Sequence, residues 1–360
     1  MPSIDFWSGK RVLVLGHTGF KGAWLSLWLR GMGADVFGLS LPPPAGPNLF
    51  IDANLDTIVK SSFADIRDSE SVMRIMRKIE PQIVLHLAAQ ALVRPSYIDP
   101  VGTYATNVMG TVHVLAAAQA VESVRSVVVV TSDKCYENRE WLWAYREDEP
   151  MGGHDPYSSS KGCAELVTAA WRSSYCGPSV KRQLGIGSAR AGNVIGGGDW
   201  GDDRLVPDCM RSLIAGKTID IRNPQATRPW QHVLDPLCGY LILAQRLWED
   251  PVTFGEGWNF GPVEEDAKPV AWVAENVVKA WGDGAHWQSA ISESALHEAT
   301  FLKVDASKAR ARLQWSQRLR LQNGLEWTVD WYRRFIRGES ARALVEEQIS
   351  RFCKLSVGTK

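Results

Sequence analysis

The first 192 residues alternate between strand-like and helix-like patterns, and few folds accept that rhythm. "RVLVLG" is a short apolar run ending in glycine, and "GAWLSLWLRGMG" then carries Trp24, Leu25, Trp28 and Leu29 at helical spacing. "ADVFGLSL" is a second strand, "PPPAGP" a loop and "TIVKSSFADI" a third strand. "DSESVMRIMRKI" is a helix that Asp68 or Ser69 caps. "PQIVLHLAAQ" is a fourth strand, Pro100 to Val121 a helix, "SVVVVTS" a fifth strand, the stretch after Pro156 a helix, and "LGIGSARAGNV" holds a sixth strand. Strands separated by helices predict a parallel sheet covered on both faces, a doubly wound α/β (Rossmann) domain. Beyond about Asn193 the pattern loosens, with more Trp, Pro and Gly. The expected division is 1–192 for the sheet domain and 193–360 for a smaller, mainly substrate-binding region, with some interleaving of elements.

In open α/β sheets ligands bind beyond the carboxyl ends of the strands. Polar clusters stand at that position after five strands: "GHTGFKG", "ADIRD", "AAQALVR", "TSDKCY" and "RAGNV". Composition narrows the ligand. Lys+Arg and Asp+Glu balance at 40 each, so no net field draws nucleic acid or an anionic membrane. No apolar run approaches the ~18 residues of a membrane helix, and "MPSIDFWSGK" has no signal-peptide core. Six cysteines without a CxxC pair argue against a disulfide framework or a metal site and suit a reducing cytoplasm.

"LVLGHTGFKGAWL" sets Gly16, Gly19 and Gly22 between a strand and a helix. Glycine lets the backbone approach a diphosphate, and the helix N-terminus supplies free N–H groups. In this strand–loop–helix context the pattern predicts a dinucleotide site rather than a plain tight turn. Lys21 sits in the first helical turn, where the dipole disfavours a cation, so it is either solvated or reaching a phosphate. The second strand ends at Ser40, where an acid for the ribose 2′-hydroxyl is expected. No Arg or Lys stands there for a 2′-phosphate either, and NAD is the cofactor that fits better. Asp65 and Ile66 after strand three either contact the adenine or start a capped helix.

"DPYSSSKGCAE" places Tyr157 and Lys161 four apart on one helix face. A free phenol has a pKa near 10 and is a poor base. A nearby ammonium and a positive nicotinamide would lower it, so the pair can deprotonate a sugar hydroxyl while hydride leaves.

Together the glycine loop, "HLAAQ", "TNVMGT", "TSDKCY", "DPYSSSK", "RAGNVIGGGDW" and "RPWQHV" resemble the extended short-chain dehydrogenase/reductase family. Within it the likeness is to the nucleotide-sugar 4,6-dehydratases, over nearly the whole chain, and it implies CDP-glucose as substrate. The implied chemistry is oxidation at C4, loss of water across C5–C6, and return of the same hydride to C6. The resemblance assigns the cofactor to Gly16, His17, Thr18, Gly19, Phe20, Lys21, Gly22, Ser40, Asp65, Ile66, Leu87, Ala88, Ala89, Gln90 and Asn107, with Tyr157 and Lys161. It puts Ser132 beside Tyr157 and makes Asp133 the acid for the departing C6 hydroxyl. Related dTDP-glucose enzymes carry Glu where this chain has Lys134. A lysine must be neutral to act as a base, so Lys134 is the C5 base, a partner for the enolate charge, or one half of a structural pair with Asp133.

Arg190, Asn193, Arg204, Arg222 and Arg228 are the candidates for the substrate side. Arginine forks suit a diphosphate, and the resemblance assigns Asn193 to that group. His86 and His232 read as core or hydrogen-bonding residues, and Trp200 and Trp230 flank the substrate motifs. "YATNVMGTVHVLAAAQ", apolar on more than one side, is buried within the monomer or forms a homodimer with the Tyr157 helix, with a homotetramer as the larger option. The competing readings are a 4-epimerase of the same superfamily and a non-catalytic NAD-binding sensor.

Overall fold

The computed structural model describes residues 1–176, 182, 184–290 and 301–356. Seven strands form one parallel sheet: β1 (Arg11–Leu15), β2 (Asp35–Ser40), β3 (Lys60–Phe63), β4 (Ile83–His86), β5 (Ser126–Val130), β6 (Gly185–Ala191) and β7 (Gly257–Phe260). Their spatial order is β7-β6-β5-β4-β1-β2-β3. The order reverses at β1, beside β4, and that switch point opens the crevice of a doubly wound sheet. The central strands β4 and β5 are buried along their whole length, which is why they read as unbroken apolar runs.

Helices α1 (Phe20–Gly31), α2 (Ser69–Ile79), α3 (Gly110–Ala120) and α4 (Pro156–Tyr175) cross between the strands. Asp68 caps α2 by accepting from the Glu70 and Ser71 N–H groups, both at 3.1 Å. The helix expected from Pro100 to Val121 is instead a short α-helical stretch, Pro100–Tyr104, then a wide π turn, Ala105–Met109, then α3. A local cause is visible at Asn107. Its side chain holds Gln90 N and O at 2.9 Å each and Ser160 Oγ at 2.8 Å, which pins the widened turn against β4 and α4.

Beyond β6 the elements are α5 (Leu205–Ile214), α6 (Leu234–Glu249), α7 (Val270–Trp281), α8 (Leu321–Ile336) and α9 (Ala341–Lys354), with short strand pairs between them. The chain crosses the 192/193 division more than once: β7 returns to the edge of the sheet and α6 packs beneath β5 and β6. One apolar core joins α1, α6 and the C-terminal helices under the sheet, and a second lies under α2 and α3.

Candidate active site

A cavity of about 1660 Å³ opens along the carboxyl ends of β1 to β6 and is roofed by the region after residue 193. Its first wall is the glycine loop. Gly16 has φ +86°, and a Cβ there would lie 2.8 Å from Ala88 N. A Cβ on Gly22 would lie 2.1 Å from Gly16 O. Only glycine permits this fold-back. Gly19 caps α1 without a side chain, leaving the first N–H groups of a 12-residue helix open to an anion. That cradle fits a dinucleotide diphosphate. Thr18, Phe20, Lys21, Ser40, Asp65, Ile66, Leu87, Ala88 and Ala89 line the same wall. Ser40 Oγ meets Thr18 Oγ1 at 2.7 Å, and no acid follows β2.

Three expected cofactor contacts lie elsewhere. His17 is buried, with Nε2 3.0 Å from Ser61 Oγ and its ring against Gly38, where a Cβ would lie 2.3 Å away. Burial lowers its pKa to about 4, so it is a neutral packing group. Gln90 and Asn107 hold each other behind the wall rather than lining it.

The second wall carries the expected reaction groups: Ser132, Asp133, Lys134, Tyr157 and Lys161 all line the cavity. Ser132 caps the turn Asp133–Cys135, its Oγ accepting from Lys134 N at 3.2 Å and donating to Asp133 Oδ1 at 3.0 Å. Asp133 is 3% exposed, and among the described residues Oδ2 has no hydrogen-bond partner. Burial raises its pKa, opposed by Lys134, by the Ser132 hydrogen bond and then by Arg228 and Lys21. A carboxyl so placed is suited to hold and deliver a proton. Burial pushes the Tyr157 phenol up to about 12, against a hydrogen bond from Ser132. The expected lowering relied on Lys161 together with a positive nicotinamide; in the protein alone, desolvation by burial outweighs the Ser132 hydrogen bond and Arg204. Lys161 donates to Val130 O at 3.5 Å, and burial lowers its ammonium to about 8.

On the third wall Asn193, Arg204, Arg222 and Arg228 line the cavity. Arg204 Nη1 contacts both Asp199 oxygens, at 2.9 and 3.0 Å. Arg222 and Arg94, from opposite walls, converge on Asp203 Oδ1 at 3.3 and 3.4 Å. Arg190 is a correction. Its guanidinium turns away from the cavity to Glu165 Oε2 at 2.8 Å and Tyr136 Oη at 2.7 Å. Alternation along β6 puts its side chain on the face away from the cavity. Trp230 lines the cavity. Trp200 instead packs edge-on against Tyr332 at 5.1 Å. The sequence reading passed over Arg94, Asp199, Asp203 and Glu165. Glu165 carried a usable signal, standing four residues after Lys161 on α4.

The family model described as GDP-mannose 4,6 dehydratase matches residues 13–328. The chain belongs to that family. CDP-glucose 4,6-dehydratase of Salmonella typhimurium is 52% identical over 97% of this chain and 98% of its own length. UDP-glucose 4-epimerase of Mycolicibacterium smegmatis is 28% identical over 90% of this chain and 98% of its own. Among solved structures, the dTDP-glucose 4,6-dehydratase of Bacillus anthracis in complex with NAD superposes with a TM-score of 0.75 at 20% identity. It covers 93% of this chain and all of that one, and shows the shared fold. The Thermus thermophilus UDP-glucose 4-epimerase complex with NAD reaches the same TM-score at 25% identity over 90% and 99% of the two chains. The five expected reaction groups of the second wall thus belong to a chain of the 4,6 dehydratase family.

Proposed function

We propose that the protein converts CDP-D-glucose to CDP-4-keto-6-deoxy-D-glucose, with NAD held on the glycine-loop wall. The observation that carries this reading is Asp133: a buried carboxyl with raised pKa and one open oxygen, in the same cavity as Tyr157 and Lys161. The 52% identity to the Salmonella enzyme supports CDP-glucose as the substrate. NAD supplies the acceptor for hydride from C4 and its donor at C6. The side chains do the rest. Tyr157, linked to Ser132, takes the C4 hydroxyl proton, and Lys161 stabilises the phenolate as it forms. Asp133 protonates the leaving C6 oxygen. Arg204, Arg228 and Asn193 hold the diphosphate. Residues 1–192 carry the cofactor and reaction groups, and residues 193–360 mainly the substrate.

An epimerase has no need of a buried acid for water loss, and a sensor no need of five reaction groups in one cavity. The exposed apolar residues Ile98, Val101, Met109 and Leu166 support a homodimer or homotetramer through the helices around α3 and α4. Six unpaired cysteines support a cytoplasmic setting. Among the described residues no helix is long and apolar enough to cross a membrane. The test is incubation with CDP-, dTDP-, UDP- and GDP-hexoses in the presence of NAD, followed by mass spectrometry. Loss of water from CDP-glucose at catalytic NAD is the expected result; none from any hexose overturns the reading.

A further inference from the structure

The half-reactions proposed above leave a proton in the wrong place. Oxidation at C4 gives Tyr157 the proton of the C4 hydroxyl, and release of the C6 oxygen as water takes one from Asp133. The proton lost from C5 is matched by the one C5 carries in the product, so it drops out of the balance. Each turnover therefore ends with one proton too many on Tyr157 and one too few on Asp133. The two groups meet at a single hydroxyl. Ser132 caps the turn Asp133–Cys135, and its Oγ accepts from Lys134 N at 3.2 Å. A backbone N–H only donates, so this contact fills one lone pair and leaves the hydroxyl with its hydrogen and one lone pair. The hydrogen goes to Asp133 Oδ1 at 3.0 Å. The second lone pair is left for the Tyr157 hydroxyl, whose hydrogen-bond partner is Ser132. Ser132, Asp133 and Tyr157 are all buried and line the same cavity, so a sugar seated there covers them from bulk water. The charged groups that face the pair are Arg204 and Arg228 from the roof, Lys21 from α1, Lys134 in the turn, and Asp155 and Lys161 on α4. Among the described residues only the Ser132 side chain is hydrogen-bonded to both members.

Resting on the function proposed above, we propose that Ser132 returns the proton from Tyr157 to Asp133, so that one proton serves both half-reactions of every turnover. The Tyr157 O–H bond breaks and its proton passes to Ser132 Oγ, while the Ser132 hydrogen passes to Asp133 Oδ1. This one move leaves a phenolate to take the C4 hydroxyl proton and a carboxylic acid to release the C6 oxygen. It transfers no electron and consumes neither a co-reactant nor a proton from solvent.

The experiment follows C4 oxidation as reduced-nicotinamide absorbance across pH, in single turnovers of CDP-glucose at saturating NAD, for wild type and Asp133→Asn. Without Asp133 the phenol can lose its proton only to solvent. The pH of half-maximal oxidation should therefore rise by at least ~1 unit, a loss of about tenfold at neutral pH. The charge of Asp133 alone predicts the opposite sign, because that carboxylate raises the phenol and its removal would lower the midpoint. A residue that only shapes the site would slow oxidation at every pH and move no midpoint. The second readout is steady-state dehydration by Ser132→Ala and Ser132→Thr. Turnover of Ser132→Ala should rise with the concentration of a small proton carrier, imidazole, while wild type and Ser132→Thr, which keep the hydroxyl, should not respond. Two results overturn the proposal: an Asp133→Asn midpoint at or below that of wild type, or a Ser132→Ala turnover indifferent to imidazole. A Ser132→Ala chain that does not fold leaves the Asp133→Asn profile to decide. A wild-type protein that releases no water from CDP-glucose overturns the proposed function itself, and does so before any variant is made.

Discussion

Arg190 and Glu165 face each other between β6 and α4, Nη2 to Oε2 at 2.8 Å, with side chains 5% and 2% exposed. Glu165 also accepts from Thr131 Oγ1 and Ser188 Oγ, so one carboxylate ties β5, β6 and the helix of Tyr157 together. Burial alone would raise its pKa, but Arg190 and the two hydroxyls hold it below the ordinary value. Arg190→Ala leaves that carboxylate buried without its cation. The expected cost is about 3–5 kcal/mol, read by urea unfolding, with KM for the nucleotide sugar unchanged in the folded fraction. Unchanged stability together with a raised KM would return Arg190 to the substrate.

Asp133→Asn keeps size and most hydrogen bonding but removes the proton. On the proposed assignment, oxidation at C4 uses Tyr157, Lys161 and Ser132, so the variant should stall with reduced-nicotinamide absorbance and a 4-keto sugar that still carries its C6 hydroxyl. Single-turnover absorbance and mass spectrometry of the quenched sugar decide it. Dehydration at the wild-type rate would make Asp133 structural.

Gly22→Ala forces a methyl to within 2.1 Å of Gly16 O, whereas a Cβ on Gly19 would lie at 3.4 Å from the same atom. Overpacking of the first kind costs about 1–3 kcal/mol. NAD affinity, measured by calorimetry, should fall roughly tenfold or more for Gly22→Ala, at about 1.4 kcal/mol per decade, and less for Gly19→Ala. Equal effects at both positions would show that the fold-back is not what holds the diphosphate.

Acid should weaken the fold before the carboxylates titrate. Burial lowers His17 to about 4, and His86 and His232 to about 3. Their unfolded value is near ~6.5. Between those values the unfolded chain binds more protons, so stability rises with pH there and is lost as pH falls from about 6.5 towards 4. Thermal midpoints at pH 7.5 and 5.0 measure it, and His17→Phe should flatten part of the slope. A midpoint constant over that range would contradict the buried neutral state.

The sheet was legible because β4 and β5 are buried on both faces and carry no polar residue before their carboxyl ends except His86 and Ser126. The candidate reaction groups were legible because Ser132, Asp133 and Lys134 follow β5, and Tyr157 and Lys161 lie in the first two turns of α4. What misled was side-chain direction. Arg190 and Asn107 sit in the right segments, but β6 turns Arg190 to the far side and the π turn draws Asn107 inward to Gln90. Asp199, Asp203 and Arg94 come from loops whose meeting depends on tertiary closure, which no local pattern records.

The turn Asp133–Cys135 hangs from β5, while Tyr157 and Lys161 belong to α4. On the proposed assignment, the groups that oxidise C4 and the acid that releases the C6 oxygen thus sit on separate pieces of chain, with Ser132 at the join. If that assignment holds, a change at residue 133 alone would remove the acid of the second step and leave the groups of the first in place.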